Sequence, residues 1–304
     1  MINWDKVEVV QKVQDYINKN IDEEYIDLDS LYESIGYSSR HANRIFKELA
    51  QKTIFEYIRE LRMARSVDGL IKETNSILNI ALDTNLKSHE GYTRAFIKKF
   101  GATPTKYRKG KLPIPIFTPY PIKHYYSHIF NKEISKMSKN TEPLLCMITV
   151  VNRPKRKLMI MRAKRAYDYW SFCEEKGCQW EGLFNSIQCK LDKAAIIELP
   201  YTLVLEGTSK CAAGVELPID YDGTIPIGCE CIEINSCDMM YFQSEPFDND
   251  DDYSVAIRSV MKAIEKYDYK KYGYVINMQL APKFNYGASK EQGARIALPV
   301  VTGT

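Results

Sequence analysis

Arg40, His41, Asn43, Arg44 and Lys47 fall within a span of eight positions. Side chains of these types make paired hydrogen bonds to guanine or adenine edges, or hold phosphates. That chemistry requires a helix that turns all five to one side. The intervening pattern supplies one: Ser38 is a cap, and Ile45, Phe46 and Leu49 recur at the spacing of a buried stripe. Just upstream, Asp27 can cap a short helix carrying Leu28, Leu31 and Ile35, and Gly36 can end it. The local prediction is a helix, a glycine turn and a helix with a polar outer face. A solvated polar face alone is the competing reading.

The surrounding elements must hold this unit in place. Trp4, Val7, Val10, Val13 and Ile17 mark an amphipathic first helix. Thr53 and Glu56 have the spacing of a capping box. From there a long helix follows through Ile54, Tyr57, Ile58, Leu61, Ala64, Leu70 and Ile71. The first pattern then recurs, with Ile77, Ile80 and Ala81 on a short helix, a turn at 85–87, and Ser88 capping a helix with Tyr92, Ala95, Phe96 and Phe100 inside. A connecting helix of about 19 residues spans about 28 Å, close to the roughly 34 Å of one turn of B-DNA. Two such units therefore suit successive major grooves of double-stranded DNA. Charge follows the same division. Residues 1–36 hold 3 bases and 9 acids, whereas residues 91–132 hold 9 bases and no acid. Arg94, Lys98, Lys99, Lys106, Arg108, Lys109 and Lys111 suit phosphate, although a solvated basic helix end has a similar composition.

The runs 38–47 and 57–62, and above all the run 92–108 (YTRAFIKKFGATPTKYR), resemble the AraC/XylS family. The resemblance covers about residues 5–110 and implies an all-α double helix-turn-helix DNA-binding domain. By position it implies that Arg40, Asn43 and Arg44 face DNA from the first unit, and His89, Glu90 and Arg94 from the second. This chain departs from the family at Gln51, where a glycine is usual, and at Asn85-Leu86, where Gly-Phe is usual. Glu90 can accept from a cytosine amino group or repel phosphates, and Arg94 is expected mainly as a phosphate anchor.

Pro113, Pro115, Pro119 and Pro121 interrupt helix continuation and point to an extended connector. The expected organisation is a multi-domain chain: DNA-binding domain 1–112, proline-rich linker 113–140 and a second domain 141–304. In the latter, short strands are expected at 145–151, 158–161, 194–199, 202–205, 230–234 and 239–242, with helices at 166–176 and 253–267. Strands and a helix occurring twice suggest an α+β domain with an internal duplication.

The stretches 170–182, 211–218 and 281–287 resemble the GyrI-like effector-binding domain, and with the N-terminal match the chain looks like a Rob-type regulator. The resemblance implies that the duplicated halves enclose a cleft for a small hydrophobic, often cationic, effector. Aromatic residues for such a site are Trp170, Trp180, Tyr241, Phe284 and Tyr286, and Glu174 and Glu216 are its carboxylates; Tyr201, Phe242, Glu175 and Glu181 are further candidates. The acidic residue common before the Ala-Pro step of these domains is replaced by Asn277 and Gln279. The functional expectation is transcription regulation, with activation favoured by the resemblance and RNA polymerase as a partner. The rival readings are a small-molecule hydrolase using Glu216 as general base, and a protein-interaction module without ligand.

All four histidines, His41, His89, His124 and His128, lie before the second domain, and no nucleophile–base spacing appears within it. No catalytic residues, cofactor or metal are therefore expected. Cys229 and Cys231, or Cys173 and Cys178, read as packing residues before they read as metal ligands. Residues 1–16 lack an apolar leader core, and no run of about 18 apolar residues follows, so a cytoplasmic protein with reduced thiols is expected.

Overall fold

The computed structural model describes residues 3–71, 76–84, 88–110, 112–129, 144–249 and 252–303. The chain forms two compact units, Met1–Ile134 and Ser135–Thr304.

The first unit is helical: α1 Trp4–Asn20, α2 Leu28–Ile35, α3 Ser39–Ala50, α4 Ile54–Ile71, α5 Ile77–Asp83, α6 His89–Phe100, α7 Pro104–Arg108 and α8 Ile122–Ile129. Two apolar cores share α4. Ile54, Tyr57, Ile58 and Leu61 join α1–α3 in one, while Met63, Val67 and Leu70 join α5–α7 in the other. At 18 residues α4 extends about 27 Å. Each helix-turn-helix is thus built around one half of a common rod.

The proline-rich segment does not run free of this body. Ile114 is buried in the second core, and Phe117 and Ile122 in the first, so the segment straps both. Gln14 fastens it: Nε2 donates to the Tyr120 carbonyl at 3.1 Å, and Oε1 accepts the Ile122 N–H at 2.9 Å. The helix α8 was not expected within a proline-rich connector. It forms because Pro121 sits at its start, where a missing N–H costs nothing, and the Pro121 carbonyl still accepts the Tyr125 N–H at 3.1 Å.

The second unit contains β1 Cys146–Arg153, β2 Arg156–Arg162, α9 Tyr169–Lys176, α10 Gln179–Asn185, β3 Ala195–Glu198, β4 Cys211–Leu217, β5 Glu230–Ile234, β6 Cys237–Ser244, α11 Tyr253–Lys266, β7 Tyr274–Ile276, β8 Lys283–Ser289 and β9 Gly293–Thr302. All pairings are antiparallel, in the order β1-β6-β9-β8-β3-β4-β2-β5, with β7 on β9. Matching β1, β2, β3 and β4 to β5, β6, β8 and β9 makes this order read the same from either end. The duplication is therefore a pseudo-twofold, with each half's first strand paired into the other half. The strand expected at 202–205 is instead a short 3-10 turn, Tyr201–Leu203, entered through Pro200. Its backbone closes locally, Leu203 N–H to Pro200 O at 2.9 Å, rather than into the sheet.

Side chains alternate across the sheet. Met159, Ile196, Ala213, Met240, Phe242 and Ile296 face α9–α11, while Leu158, Ile197, Ala212, Met239, Tyr241 and Phe284 form a core on the opposite face.

Candidate nucleic-acid interface and ligand cleft

Local capping sets the reading helices. Gly36 ends α2 in the left-handed conformation at φ 70°, and Ser38 Oγ accepts the His41 N–H to start α3. Ala42, Ile45, Phe46 and Leu49 are buried, which leaves Arg40, Arg44 and Lys47 exposed. His41 stacks on Tyr37 with centroids 4.9 Å apart. Asn43 is held differently: Nδ2 donates to Tyr32 Oη at 3.0 Å and to the Ser39 carbonyl at 2.9 Å. Its amide nitrogen braces α3 on α2, and only its carbonyl oxygen is left for a base. Gln51, where a glycine is usual, adopts the left-handed conformation itself at φ 58°.

In the second unit Ser88 Oγ accepts the Gly91 N–H at 3.1 Å, and Tyr92 and Phe96 are buried. His89, Glu90 and Arg94 are exposed on α6. The expected turn at 85–87, the Asn85-Leu86 departure and Lys111 lie outside the described residues. The basic run divides into two groups. Arg94, Lys98, Lys106 and Lys109 are exposed, whereas Lys99 pairs with Glu60 at 2.6 Å and Arg108 Nε donates to the Leu70 carbonyl at 3.2 Å. A count of bases along the sequence could not separate anchors for DNA from anchors for α4.

In the second unit the sequence-predicted ligand residues fall on both faces of the sheet. On the face away from the helices, Tyr241, Phe284 and Tyr286 are buried and stacked, 6.3 Å between Tyr241 and Tyr286 and 5.9 Å between Phe284 and Tyr286. The Arg295 guanidinium covers Tyr286 at 4.1 Å. Glu216, 3% exposed, is on this face opposite Leu158, and its two carboxylate oxygens accept from Arg153 and Arg156. Both oxygens of the general-base candidate Glu216 are therefore already engaged by guanidinium donors.

On the helix face, Trp180 is 3% exposed and packs edge-on to Phe172 and Tyr169 at 5.7 Å. Trp170 is half-buried and meets Tyr169 at 4.8 Å, while Glu174 is exposed on the outside of α9. Glu175 is structural: its oxygens accept the N–H groups of Lys164, Arg165 and Ala166 at 2.7–3.0 Å. Burial opposes ionisation there, but those N–H donors hold the carboxyl down at about 2.

Glu181 of α10 is the carboxylate that interacts with both α9 and α11. It accepts from Tyr169 Oη at 3.2 Å and interacts electrostatically with Lys193 and with Tyr253 of α11. Burial raises its carboxyl above the ordinary range, while the Tyr169 hydroxyl and Lys193 lower it. Gly287 is left-handed at φ 69° and lies beside Tyr253, whose hydroxyl would meet a Cβ there in ordinary contact at 3.5 Å. A cavity of about 440 Å³ opens beside Tyr169, lined among others by Ile196, Asn285, Arg165, Lys210, Lys283 and Glu198. In sequence Glu181 is one of several acids near Trp180. Only the break between α9 and α10 singles it out by turning it toward α11. Among the described residues no cluster of three or more metal-ligating side chains gathers, and no helix is long and apolar enough to cross a membrane.

Two serine-capped helices with exposed arginines, mounted on the two halves of one rod, define a double helix-turn-helix DNA-binding protein. The family model described as "Helix-turn-helix domain" matches residues 31–110. A probable transcription factor of Proteus vulgaris, PqrA, is 38% identical over 91 residues, 30% of this chain and 75% of that protein. The right origin-binding protein of Escherichia coli (strain K12) is 32% identical over 105 residues, 34% of this chain and 36% of that protein's length. A solved chain, SAV2435 bound to tetraphenylphosphonium, is 15% identical and covers 51% of this chain and 94% of its own length at a TM-score of 0.34. The chain belongs to the AraC family of DNA-binding transcription regulators.

Proposed function

We propose that the chain is a ligand-responsive transcription regulator with a DNA-reading domain at 1–112, a connecting segment at 113–140 and an effector domain at 141–304. Arg40, Arg44 and the remaining acceptor of Asn43 read from α3, and His89, Glu90 and Arg94 from α6. A small hydrophobic effector, cationic in the favoured case, enters the groove between α9–α10 and α11. Its occupancy changes how the DNA-reading domain engages promoter DNA or RNA polymerase, in the direction of activation. Coupling requires that the effector bind the DNA-competent and DNA-incompetent states with different affinity.

The observation that carries the effector reading is the Glu181 carboxylate, set beside Tyr169 and Tyr253 and raised by burial. Aromatic faces around a desolvated carboxylate favour a flat cation. The opposite face carries Tyr241, Phe284 and Tyr286, but Arg295 already covers its rings and Glu216 is already neutralised.

The test is calorimetric titration of the full chain with benzyltrimethylammonium and with a neutral aromatic of the same shape, paired with anisotropy on a promoter-length duplex. Cation binding that is lost in Glu181→Gln and retained in Glu174→Gln, with a ligand-dependent change in duplex affinity, supports the reading. Binding that survives Glu181→Gln removes Glu181 from the site. Silence across cations and neutral aromatics favours an interaction module without ligand.

A further inference from the structure

The sheet face turned away from the helices holds more positive charge than it neutralises. Register sets its residues in rows across the strands. Thr149 of β1 lies opposite Tyr241 of β6, Tyr241 opposite Ala297 of β9, and Ala297 opposite Phe284 of β8. The neighbouring row runs from Met147 through Gln243 to Arg295. Cys146, Ile148 and Val150 pack on the helix side, so alternation puts Met147, Thr149, Val151 and Arg153 on this face. Beside its rings stand three guanidiniums, Arg153, Arg156 and Arg295, against two carboxylates, Glu216 and Asp192. Glu216 accepts from the first two, and Asp192 accepts from Arg295 Nη2. That pairing does not quench Arg295. Lys193 is lowered first by burial and then by repulsion from Arg295, with Glu181, Asp192 and Glu291 in opposition.

Donors are left over as well. Arg153 Nε, Arg295 Nε and Tyr286 Oη are buried and have no hydrogen-bond partner. Tyr286 is 6% exposed, and its ring lies under the Arg295 guanidinium at 4.1 Å. Its hydroxyl is within electrostatic reach of Arg295 and Tyr241, and of Glu216 and Asp192, both of which are already held by guanidiniums. A buried donor without an acceptor is costly, and an acceptor supplied from outside recovers that cost.

The approach to these donors is apolar. Met147 is 66% exposed and Val151 42%, with Thr149 exposed between them. They form a strip along β1, one strand over from Tyr241, and among the described residues no strand pairs with the outer edge of β1.

We propose that this face binds an aromatic monocarboxylate, at a site separate from Glu181. The carboxylate takes Arg295 Nε and Tyr286 Oη, and the ring lies along Met147, Thr149 and Val151 beside Tyr241. Arg295 is the part that adjusts, since its side chain is 23% exposed and its guanidinium sits on a flexible stem. Charge complementarity selects the class. One negative charge answers an excess of one guanidinium, whereas a cation meets repulsion from Arg295 and Arg153. A flat ring suits a strip that borders the stacked Tyr241, Tyr286 and Phe284. Arg156, 0% exposed and bound to Glu216, stays structural. The inference does not depend on the effector reading above, because the two sites prefer opposite charges.

Calorimetric titration of the full chain with naphthoate, with its neutral analogue naphthamide and with benzyltrimethylammonium is the test. Naphthoate is expected to bind at least tenfold more tightly than naphthamide. Arg295→Gln should lower naphthoate affinity at least tenfold and naphthamide affinity less than twofold. Tyr286→Phe removes a hydroxyl that has no partner, so it should cost naphthoate threefold or more without lowering Tm. A hydroxyl that served only the fold would lower Tm and leave affinity alone. Met147→Glu alters an exposed side chain, leaves the core intact and sets a negative charge on the strip. It should also weaken naphthoate at least tenfold, which keeps the site falsifiable should Arg295→Gln fail to fold. Glu181→Gln should leave naphthoate binding unchanged. Equal affinity for naphthoate and naphthamide, absence of naphthoate binding, or binding undiminished in Met147→Glu overturns the proposal. Loss of naphthoate binding in Glu181→Gln also overturns it, by moving the carboxylate to the other face. Failure of benzyltrimethylammonium to bind counts against the effector reading alone.

Discussion

Lys99 of α6 donates to Glu60 of α4 at 2.6 Å, and Lys52, at the entrance to α4, reaches the other oxygen of the same carboxylate at 3.2 Å. One glutamate on the rod therefore ties it to residues from both helix-turn-helix units. The side chains are about one-fifth to one-third exposed, so screening limits the pair to about 1 kcal/mol. Spacing, not affinity for phosphate, is what this contact controls. In Glu60→Gln, affinity for a duplex carrying both half-sites is expected to fall several-fold with an unchanged salt slope. Lys98→Ala, which removes an exposed lysine of α6, should instead lower the slope by about 1. Anisotropy at several salt concentrations separates the two effects, and a lowered slope in Glu60→Gln would count against the bracing role.

Arg44 and Asn43 of the first helix-turn-helix and Arg94 of the second differ in what they can do for recognition. Arg44 is exposed on the outer face of α3, so Arg44→Glu should weaken specific binding by at least tenfold. Arg94→Glu should weaken binding with a reduced salt slope, as a phosphate contact requires. Asn43→Ala removes the bond to Tyr32, and its main cost is expected in thermal stability, about 1 kcal/mol, with a smaller change in base preference than an Arg44 variant gives. Selection of bound sequences from a randomised pool checks this order. A base preference that shifts in Asn43→Ala and not in an Arg44 variant would reverse it.

The proline strap makes a prediction about where the helical unit can be cut. A fragment of residues 1–112 keeps all seven helices from α1 to α7 but loses Ile114, Phe117 and Ile122, which are buried in its two cores. It also leaves both polar atoms of the Gln14 side chain, 3% exposed, without their strap partners. Each apolar loss is worth about 1.5–3 kcal/mol as an upper figure. The fragment 1–129 should therefore melt well above 1–112 in a calorimetric scan, and Gln14→Ala in the longer fragment should lose part of that gain. Equal melting temperatures would mean that the strap contributes nothing to the unit.

Much of the first unit is legible because each of its helices is buried on one side. Val7, Val10 and Val13 keep the helical spacing, and Ser38 and Ser88 stand where caps are needed. The second unit resists the same treatment because its sheet is covered on both faces. β4 is buried at every position from Cys211 to Leu217, and Ala195, Ile196 and Ile197 of β3 are buried in succession. With no polar face left, alternation cannot assign Glu216 to one face of the sheet, nor reveal that β1 and β5 exchange halves. The aromatic candidates suffer from the same ambiguity: Tyr241 and Phe242 are adjacent in sequence and belong to cores on opposite faces. Within the helices, Glu174, Glu175 and Glu181 look alike as letters and end as a solvent charge, a loop clamp and a buried acceptor of Tyr169.

Glu181 carries a pH signature that distinguishes its proposed role from simple burial. Burial raises its carboxyl, with Tyr169 and Lys193 in opposition, so the folded chain holds a proton there at pH values where the unfolded chain has lost it. This one group accordingly favours the folded state on the acid side, and the advantage fades as pH rises through the raised value. Ligand binding has the opposite sign. A cation in the groove selects the ionised form, so its affinity should fall, and proton release on binding should rise toward one, as pH drops through that value. A neutral aromatic of the same shape should bind with little pH dependence in this range. In Glu181→Gln the cation's pH dependence should vanish together with most of its affinity, while Glu174→Gln keeps both. Calorimetry in two buffers of different ionisation enthalpy counts the released protons directly. A pH-dependent cation affinity that persists in Glu181→Gln would mean that another titrating group faces the ligand.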